Sequence, residues 1–268
     1  MKLVASDIDG TILAHNGKIS PRTIAAFQAC VAAGVEVVFV TGRPPRWLAP
    51  VREQLGHLGT VICSNGALVY DLATEQVVSS QCIAIPDVLA ARAAIKQLVP
   101  SASFAAETLE GLYLEEDFIG ENAPEALKQI EARPLAESLR AECGVVKFLA
   151  KVQNSTADEF LAKVRPVVSP WVDATHSAPD VALLEMSLRG VNKAATLSQF
   201  AASKGISASQ VVAFGDMPND IQMLSWSGRG YAMASGHPEA KQAANLLAPG
   251  IEDDGVAQVL EQLLLEAV

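Results

Sequence analysis

Along the first third of the chain, short apolar runs alternate with longer stretches of helical periodicity, and each run breaks off on polar residues. Leu3–Ser6 is followed at once by Asp7-Ile8-Asp9-Gly10-Thr11. A loop over 12–20 carries the turn pair Asn16-Gly17. Ser20 and Pro21 read as an N-cap and a first helical residue, opening a helix to about residue 33 that Gly34 ends. The β-branched run 35–40 is a second strand and stops on Thr41-Gly42-Arg43, and Pro44-Pro45 starts a helix to about residue 55. Thr60–Cys63 is a third strand, stopping on Ser64-Asn65-Gly66-Ala67. Strands and helices alternating at this spacing predict βαβ units and a parallel sheet. Residues 67–70 and 76–82 read as a hairpin around 71–75.

The texture changes near residue 84. An alanine-rich helix over 86–98 comes first, then strand-like pieces at 103–107 and 111–115 and helices at 125–132 and 134–142. A strand at 145–152, a helix at 157–168 and strands at 171–175 and 182–187 complete this stretch. From Gly190 the first texture returns, with a helix over 192–204 and a buried strand over 211–214 that stops on Gly215-Asp216. A helix from Pro218, strands at 231–233 and 245–247 and a last helix over 255–266 follow. The expected fold class is α/β: a doubly wound, Rossmann-like parallel-sheet core from 1–83 and 187–268, with an inserted α/β cap domain over 84–186.

The 268 residues are 50% hydrophobic and 19% charged, enough to bury a core and too apolar for a disordered chain. Twenty Lys and Arg against 30 Asp and Glu give a net charge of −10, which opposes binding to nucleic acid or to an anionic membrane surface. An anionic substrate would need a local cation. The four cysteines, Cys30, Cys63, Cys82 and Cys143, form no C-x-x-C pair and no Cys/His cluster, so reduced thiols are expected and zinc is not. No uncharged apolar run reaches the roughly 18 residues of a membrane span, and Asp7 and Asp9 interrupt any signal-peptide core. A cytoplasmic protein is the expectation. His15, His57, His176 and His237 are scattered and read as loop or surface, with His15 and His176 the two that could reach substrate. Trp47, Trp171 and Trp226 read as packing residues.

Four strand ends carry site-like groups: Asp7/Asp9, Thr41, Ser64/Asn65 and Asp216. Parallel strands point their C-termini the same way, so all four gather at one sheet edge, where open α/β sheets place ligands. Residues i and i+2 of a strand can face one crevice, and two carboxylates so close repel without a cation. Mg²⁺ suits them, since it takes oxygen ligands from one or two carboxylates and keeps water or phosphate oxygens. A turn rich in Asp and Gly is the plain alternative. Asp216 can supply a further metal carboxylate, with Asn219 and Asp220 on the first turn of the next helix. There Asp220 also complements the helix dipole. Thr41-Gly42-Arg43 could bind a phosphate oxygen through the hydroxyl and backbone N–H groups at a helix start, or merely cap that helix. Lys193 opposes the dipole of the helix it begins, which an adjacent anion would explain.

With these pieces in order, the chain resembles the haloacid dehalogenase superfamily, in its Cof-type sugar-phosphatase branch with a class IIB cap. The matching stretches are Asp7-Ile8-Asp9-Gly10-Thr11, Thr41-Gly42-Arg43, Ser64-Asn65-Gly66-Ala67, Lys193 and Gly215-Asp216-Met217-Pro218-Asn219-Asp220. To these are added Ala232-Met233, Pro238-Glu239-Ala240-Lys241 and Asp253-Asp254-Gly255-Val256. The resemblance implies that Asp7 attacks phosphorus to form an aspartyl-phosphate, and that Asp9 is the general acid and then the base. It implies Mg²⁺ held by the side chains of Asp7 and Asp216 and the backbone carbonyl of Asp9. Gly10, Thr41, Gly42, Arg43, Asn65, Lys193 and Asn219 would bind phosphate or substrate, and Asp220 would orient the lysine. The partner implied is a small phosphorylated metabolite, with the cap choosing among leaving groups. Ala194 stands where the family often has glycine, and Arg189 where proline is more usual, so Arg189 is either a substrate contact or a hinge residue. Two rival readings remain at this stage: a phosphosugar mutase on the same scaffold, and a non-enzymatic phosphoacceptor module.

Overall fold

The computed structural model describes residues 1–56, 59–120, 125–178 and 181–266. The chain forms two units, one from Met1–Ser79 with Asn192–Val268 and the other from Ser80–Val191. In chain order, β1 (Leu3–Ser6), α1 (Pro21–Ala32), β2 (Glu36–Val40), α2 (Ala49–Leu55), β3 (Thr60–Cys63), β4 (Leu68–Asp71) and β5 (Gln76–Ser80) come first. The second unit contributes α3 (Ile85–Leu98), β6 (Ser103–Thr108), β7 (Leu112–Leu114) and the short helices α4 (Glu125–Lys128) and α5 (Leu135–Ser138). It continues with β8 (Val145–Lys151), α6 (Ala157–Val168), β9 (Val172–Thr175) and β10 (Leu183–Leu188). The chain then returns with α7 (Lys193–Ser203), β11 (Val211–Gly215), α8 (Ile221–Trp226), β12 (Arg229–Met233), α9 (Pro238–Ala243), β13 (Leu246–Ala248) and α10 (Gly255–Leu265).

The first unit's sheet runs β13-β12-β11-β1-β2-β3-β4-β5. Its strands from β13 to β3 are parallel, and β4 turns back antiparallel on β3. The chain winds outward from β1 to one side and later to the other, so β1 sits at the reversal of winding, where such sheets open a crevice. Both faces of β1 are covered, which is why it reads as a plain apolar run. Leu3 and Ala5 pack with Val38, Val40, Ala213, Leu197 and Ala201. Elsewhere in the unit, the rings of Phe27 and Phe39 meet edge to face at 5.2 Å. The register carries the functional consequence. Ser6 is level with Phe39 on β2 and Phe214 on β11, so Asp7, Thr41 and Asp216 all leave the sheet within two residues of one line.

The second unit is an antiparallel sheet in the order β7-β6-β8-β10-β9, with α3 and α6 packed on one face over Phe104, Phe148, Leu184 and Met186. A capping box, in which Thr156 and Glu159 satisfy each other's backbone N–H groups, starts α6.

Three predicted helices are cut short for physical reasons. The one expected over 125–132 is a single turn, because Arg133 N donates to Leu114 O (2.9 Å) and Leu135 N to Glu115 Oε1 (3.0 Å), drawing the backbone onto β7. The one expected over 134–142 is the short α5 followed by a 3₁₀ turn at Ala141–Cys143, because Arg140 between them is extended. The one expected from Pro44 is split into a 3₁₀ turn, Pro45–Trp47, and α2, because Pro50 has no N–H to continue the ladder. Among the described residues, no helix is long and apolar enough to cross a membrane.

Candidate active site

The end of β1 delivers Asp7 into a buried ionic cluster. Its backbone N–H still donates to Phe214 O (2.9 Å), so the residue is held to β11 as well as to its own strand. Asp7 Oδ1 accepts from Lys193 Nζ at 2.5 Å, and the same ammonium donates to Asp220 Oδ1 at 2.7 Å. Lys193 is positioned by the start of α7, where Asn192 caps the helix by accepting from Ala195 N (2.9 Å). Burial works against the lysine's charge, but Asp220 and Asp7 outweigh it and hold the ammonium well above its usual range. Asp220 Oδ2 accepts from the backbone N–H groups of Asp216 (3.1 Å) and Met217 (3.0 Å), so one carboxylate both anchors the lysine and shapes the turn.

Asp216 leaves β11 beside this cluster. Thr11 Oγ1 donates to its Oδ1 at 3.0 Å. Gly10, at φ +78°, lies so close that a Cβ there would be 2.3 Å from Asp216 Oδ2. Asp7, Asp216 and Asp220 each offer an oxygen within 4.8 Å of the other two. Burial raises the Asp7 carboxyl well above the usual carboxylate range; Lys193 pulls it down, and Asp220, Asp216 and Asp9 push it further up. Burial, reinforced by Asp220 and opposed by Lys193 and the Thr11 hydroxyl, pushes Asp216 to about 7. One ammonium faces three carboxylates. The donor set and its negative excess fit a divalent cation with a preference for oxygen ligands.

Asp9 behaves differently from Asp7. Its side chain is 52% exposed and is gripped at both oxygens by Arg43, from Nε at 2.8 Å and Nη2 at 2.6 Å. Arg43 Nη1 also donates to Trp47 O (3.1 Å). The guanidinium expected at the phosphate thus engages the second acid of the motif. Arg43 N donates to Thr41 Oγ1 (3.0 Å), so the Thr41 hydroxyl and the arginine are set by one turn, with Gly42 between them. Asn65 N donates to Thr41 O (3.0 Å), and Asn219 Nδ2 donates to Asn65 Oδ1 (3.0 Å).

The expected site residues therefore fall into three linked groups of the first unit: Asp7, Gly10, Asp216, Asp220 and Lys193; Asp9 and Arg43; and Thr41, Gly42, Asn65 and Asn219. Thr11 belongs with the first group and was absent from the expectation; its signal is its place immediately after the turn glycine. Arg189, left open between substrate contact and hinge, donates to Pro170 O at 3.5 Å in the second unit. His15 is exposed, whereas His176 lies in a loop, as expected, but buried, with Nε2 2.8 Å from Asp158 Oδ1; His57 lies outside the described residues. Trp47 is 45% exposed instead of packed, because Leu48 takes the core position. Trp171 and Trp226 pack against the two hydrophobic clusters.

The sequence profile of the haloacid dehalogenase-like hydrolases matches residues 4–260. The chain is 26% identical over 262 residues to the 5-amino-6-(5-phospho-D-ribitylamino)uracil phosphatase of Bacillus subtilis, covering 97% of this chain and 96% of that protein. It is 26% identical over 287 residues to the pyridoxal phosphate phosphatase of Escherichia coli, covering 98% and 99%. The solved structure of a phosphatase of the haloalkanoate enzyme superfamily from Bacteroides thetaiotaomicron superposes with a TM-score of 0.81 at 22% identity, over 98% of this chain and 94% of that one.

Proposed function

The chain belongs to the haloacid dehalogenase-like hydrolases and is a phosphatase of the Cof type, and on that premise we propose that it hydrolyses a small phosphomonoester, in the presence of Mg²⁺, through an aspartyl-phosphate on Asp7. The observation that carries this reading is the buried Asp7–Lys193–Asp220 chain beside Asp216 at the crevice edge of β1. A carboxylate this buried and this close to two others has little structural purpose, and in the reaction it is the nucleophile. Asp7 and Asp216, with the carbonyl of Asp9, would hold Mg²⁺. When bound, the cation supplies charge neutralisation to the transferred phosphoryl group.

The chain's own residues do the rest. Lys193, kept cationic by Asp220, neutralises a phosphoryl oxygen, and the Thr41 hydroxyl and Asn219 position the group. This is the main work in phosphoryl transfer, where little covalent chemistry falls to the protein. Asp9, solvent-facing and held by Arg43, carries the proton: it gives one to the leaving alkoxide and then takes one from the attacking water. Substrate choice is assigned to the inserted unit. Relatives that act on a ribitylaminouracil phosphate and on pyridoxal phosphate support a small phosphorylated metabolite as substrate class.

Phosphate release across a panel of sugar phosphates, nucleotides, pyridoxal phosphate and flavin phosphates, with Mg²⁺, tests the proposal. Asp7→Asn and Asp9→Asn should each abolish turnover with unchanged far-ultraviolet circular dichroism. Full activity in either variant overturns the mechanism.

A further inference from the structure

Asn65 lies in a turn that the chain holds in an unfavourable conformation. Ser64 and Asn65 have φ of +50° and +56°, and Gly66 follows at +104°. Asparagine tolerates the left-handed region and glycine is free in it, but serine is not. Three tertiary contacts impose the conformation. Ser64 N donates to Arg43 O (3.0 Å), Asn65 N to Thr41 O (3.0 Å), and Thr196 Oγ1 to Gly66 O (2.7 Å). Gly66 rests on the first turn of α7, where a Cβ would come 2.4 Å from Asn192 O. The turn is therefore tied at one end to the Thr41–Arg43 loop and at the other to the helix start that carries Lys193.

What the turn delivers is the Asn65 side chain, whose Oδ1 accepts from Asn219 Nδ2 at 3.0 Å. Asn219 is 8% exposed, and among the described residues its Oδ1 has no hydrogen-bond partner; neither has the fully buried Ser64 Oγ. Buried polar atoms are ordinarily paired, so two orphans around one strained turn mark a place completed by something that binds. A half-turn of both amides keeps the Asn65–Asn219 bond with its direction reversed and exchanges the orphaned acceptor for a donor. An anion would select the donor.

We propose that Asn65 is a positioning residue that acts through Asn219: the left-handed turn Ser64–Gly66 holds Asn65 against the Asn219 amide, so that the free end of that amide is presented to the phosphoryl group. This rests on the proposed phosphatase reading, and it removes Asn65 from the groups that touch phosphate directly. A residue that only shaped the turn would leave phosphate affinity alone once the backbone was preserved.

The test is a double-mutant cycle read by calorimetric binding of inorganic phosphate in the presence of Mg²⁺, alongside KM and kcat for p-nitrophenyl phosphate. Asn65→Gly keeps the left-handed backbone and removes the amide; Asn219→Ala removes its partner. Each single variant should weaken phosphate binding about tenfold, and the double variant no more than either, because contacting residues that act as one unit are not additive. The loss should appear in KM and in phosphate affinity without a matching fall in Tm. Additive losses near a hundredfold, or unchanged phosphate affinity in Asn65→Gly, overturn the inference while leaving the phosphatase reading intact. A wild-type protein that neither binds phosphate nor releases it from any ester overturns both. If Asn65→Gly does not fold, Asn65→Asp keeps the size and the turn but cannot donate to Asn219 Oδ1. Asn219→Ala should then cost phosphate affinity little in that background, and a cost as large as in wild type overturns the inference.

Discussion

Removing the divalent cation gives the sharpest check on the acidic cluster, because pH then reads its charge. In the metal-free protein the Asp216 carboxyl is lifted from 3.8 to about 7, first by burial and then by Asp220. A lift of that size is about 4 kcal/mol of preference for the neutral form. A carboxyl whose folded pKa exceeds its unfolded value contributes stability that is complete below about pH 4 and is lost as pH rises through about 7. A metal ion requires the ionised form, so its affinity must rise where that stability falls. Mg²⁺ affinity should increase by close to tenfold per pH unit from pH 5 to 7 and then level off. Asp7, raised in the same direction, steepens this slope and does not reverse it. Isothermal titration with Mg²⁺ at pH 5, 6, 7 and 8 measures the slope, and melting curves with Mg²⁺ against EDTA should show a thermal gain that grows with pH. Asp216→Asn should lose most of the slope together with most of the affinity. Flat affinity between pH 5 and 7, or a gain that shrinks with pH, would refute the electrostatic account of the site.

Asp220→Ala should cost about 3–5 kcal/mol of stability, since it strips a buried ammonium of one partner and orphans two backbone N–H groups. Asp220→Asn, which keeps an oxygen for those N–H groups, should cost less, and urea unfolding of the two variants ranks them. Lys193→Met should lower kcat/KM by roughly a hundredfold to a thousandfold, the usual loss for one charge-stabilising donor, and a loss below tenfold in steady-state kinetics would exclude a role at the phosphoryl group. Gly10→Ala should drive the Asp216 carboxylate out of place and weaken Mg²⁺ binding about tenfold to a hundredfold, as changes behind a metal ligand do; titration calorimetry measures it. Arg43→Gln should change stability by less than about 1 kcal/mol, because the Asp9 carboxylate it pairs with is half exposed and stays hydrated without it, and equilibrium unfolding tests that.

The sheet was legible because its central strands are buried on both faces. Leu3 to Ala5, Val37 to Val40 and Val211 to Phe214 are uninterrupted apolar runs. The helix start marked by Ser20 was equally clear, since its side chain accepts from Thr23 N, whereas Asn192, counted inside the helix over 192–204, is the cap of α7. The second unit was less readable. Its helix over 125–132 has good local propensity, but backbone bonds from Arg133 and Leu135 to the strand region end it after one turn, and such long-range pairing leaves no local trace. The same limit hid the partner of Asp9. Its bond to Arg43 spans 34 residues, and a Thr-Gly-Arg sequence suits a phosphate as well as a carboxylate.

Asp7 and Asp9 are chemically identical and two residues apart, yet one is sealed in and the other faces solvent. Strand alternation alone would put both on one face. The difference arises because β1 ends at Ser6: Asp7 is still bonded to β11 through its N–H, whereas Gly10 at φ +78° turns the chain away just beyond Asp9. That turn also brings Thr11 onto Asp216, so the feature that separates the two acids is the one that seats the third. A side chain at position 10 would therefore disturb both at once. Gly10→Ala should impair Mg²⁺ binding and the proton-transfer step together, seen as a lower kcat that saturating Mg²⁺ restores only in part. Full recovery at saturating Mg²⁺ would show that the glycine serves the metal alone.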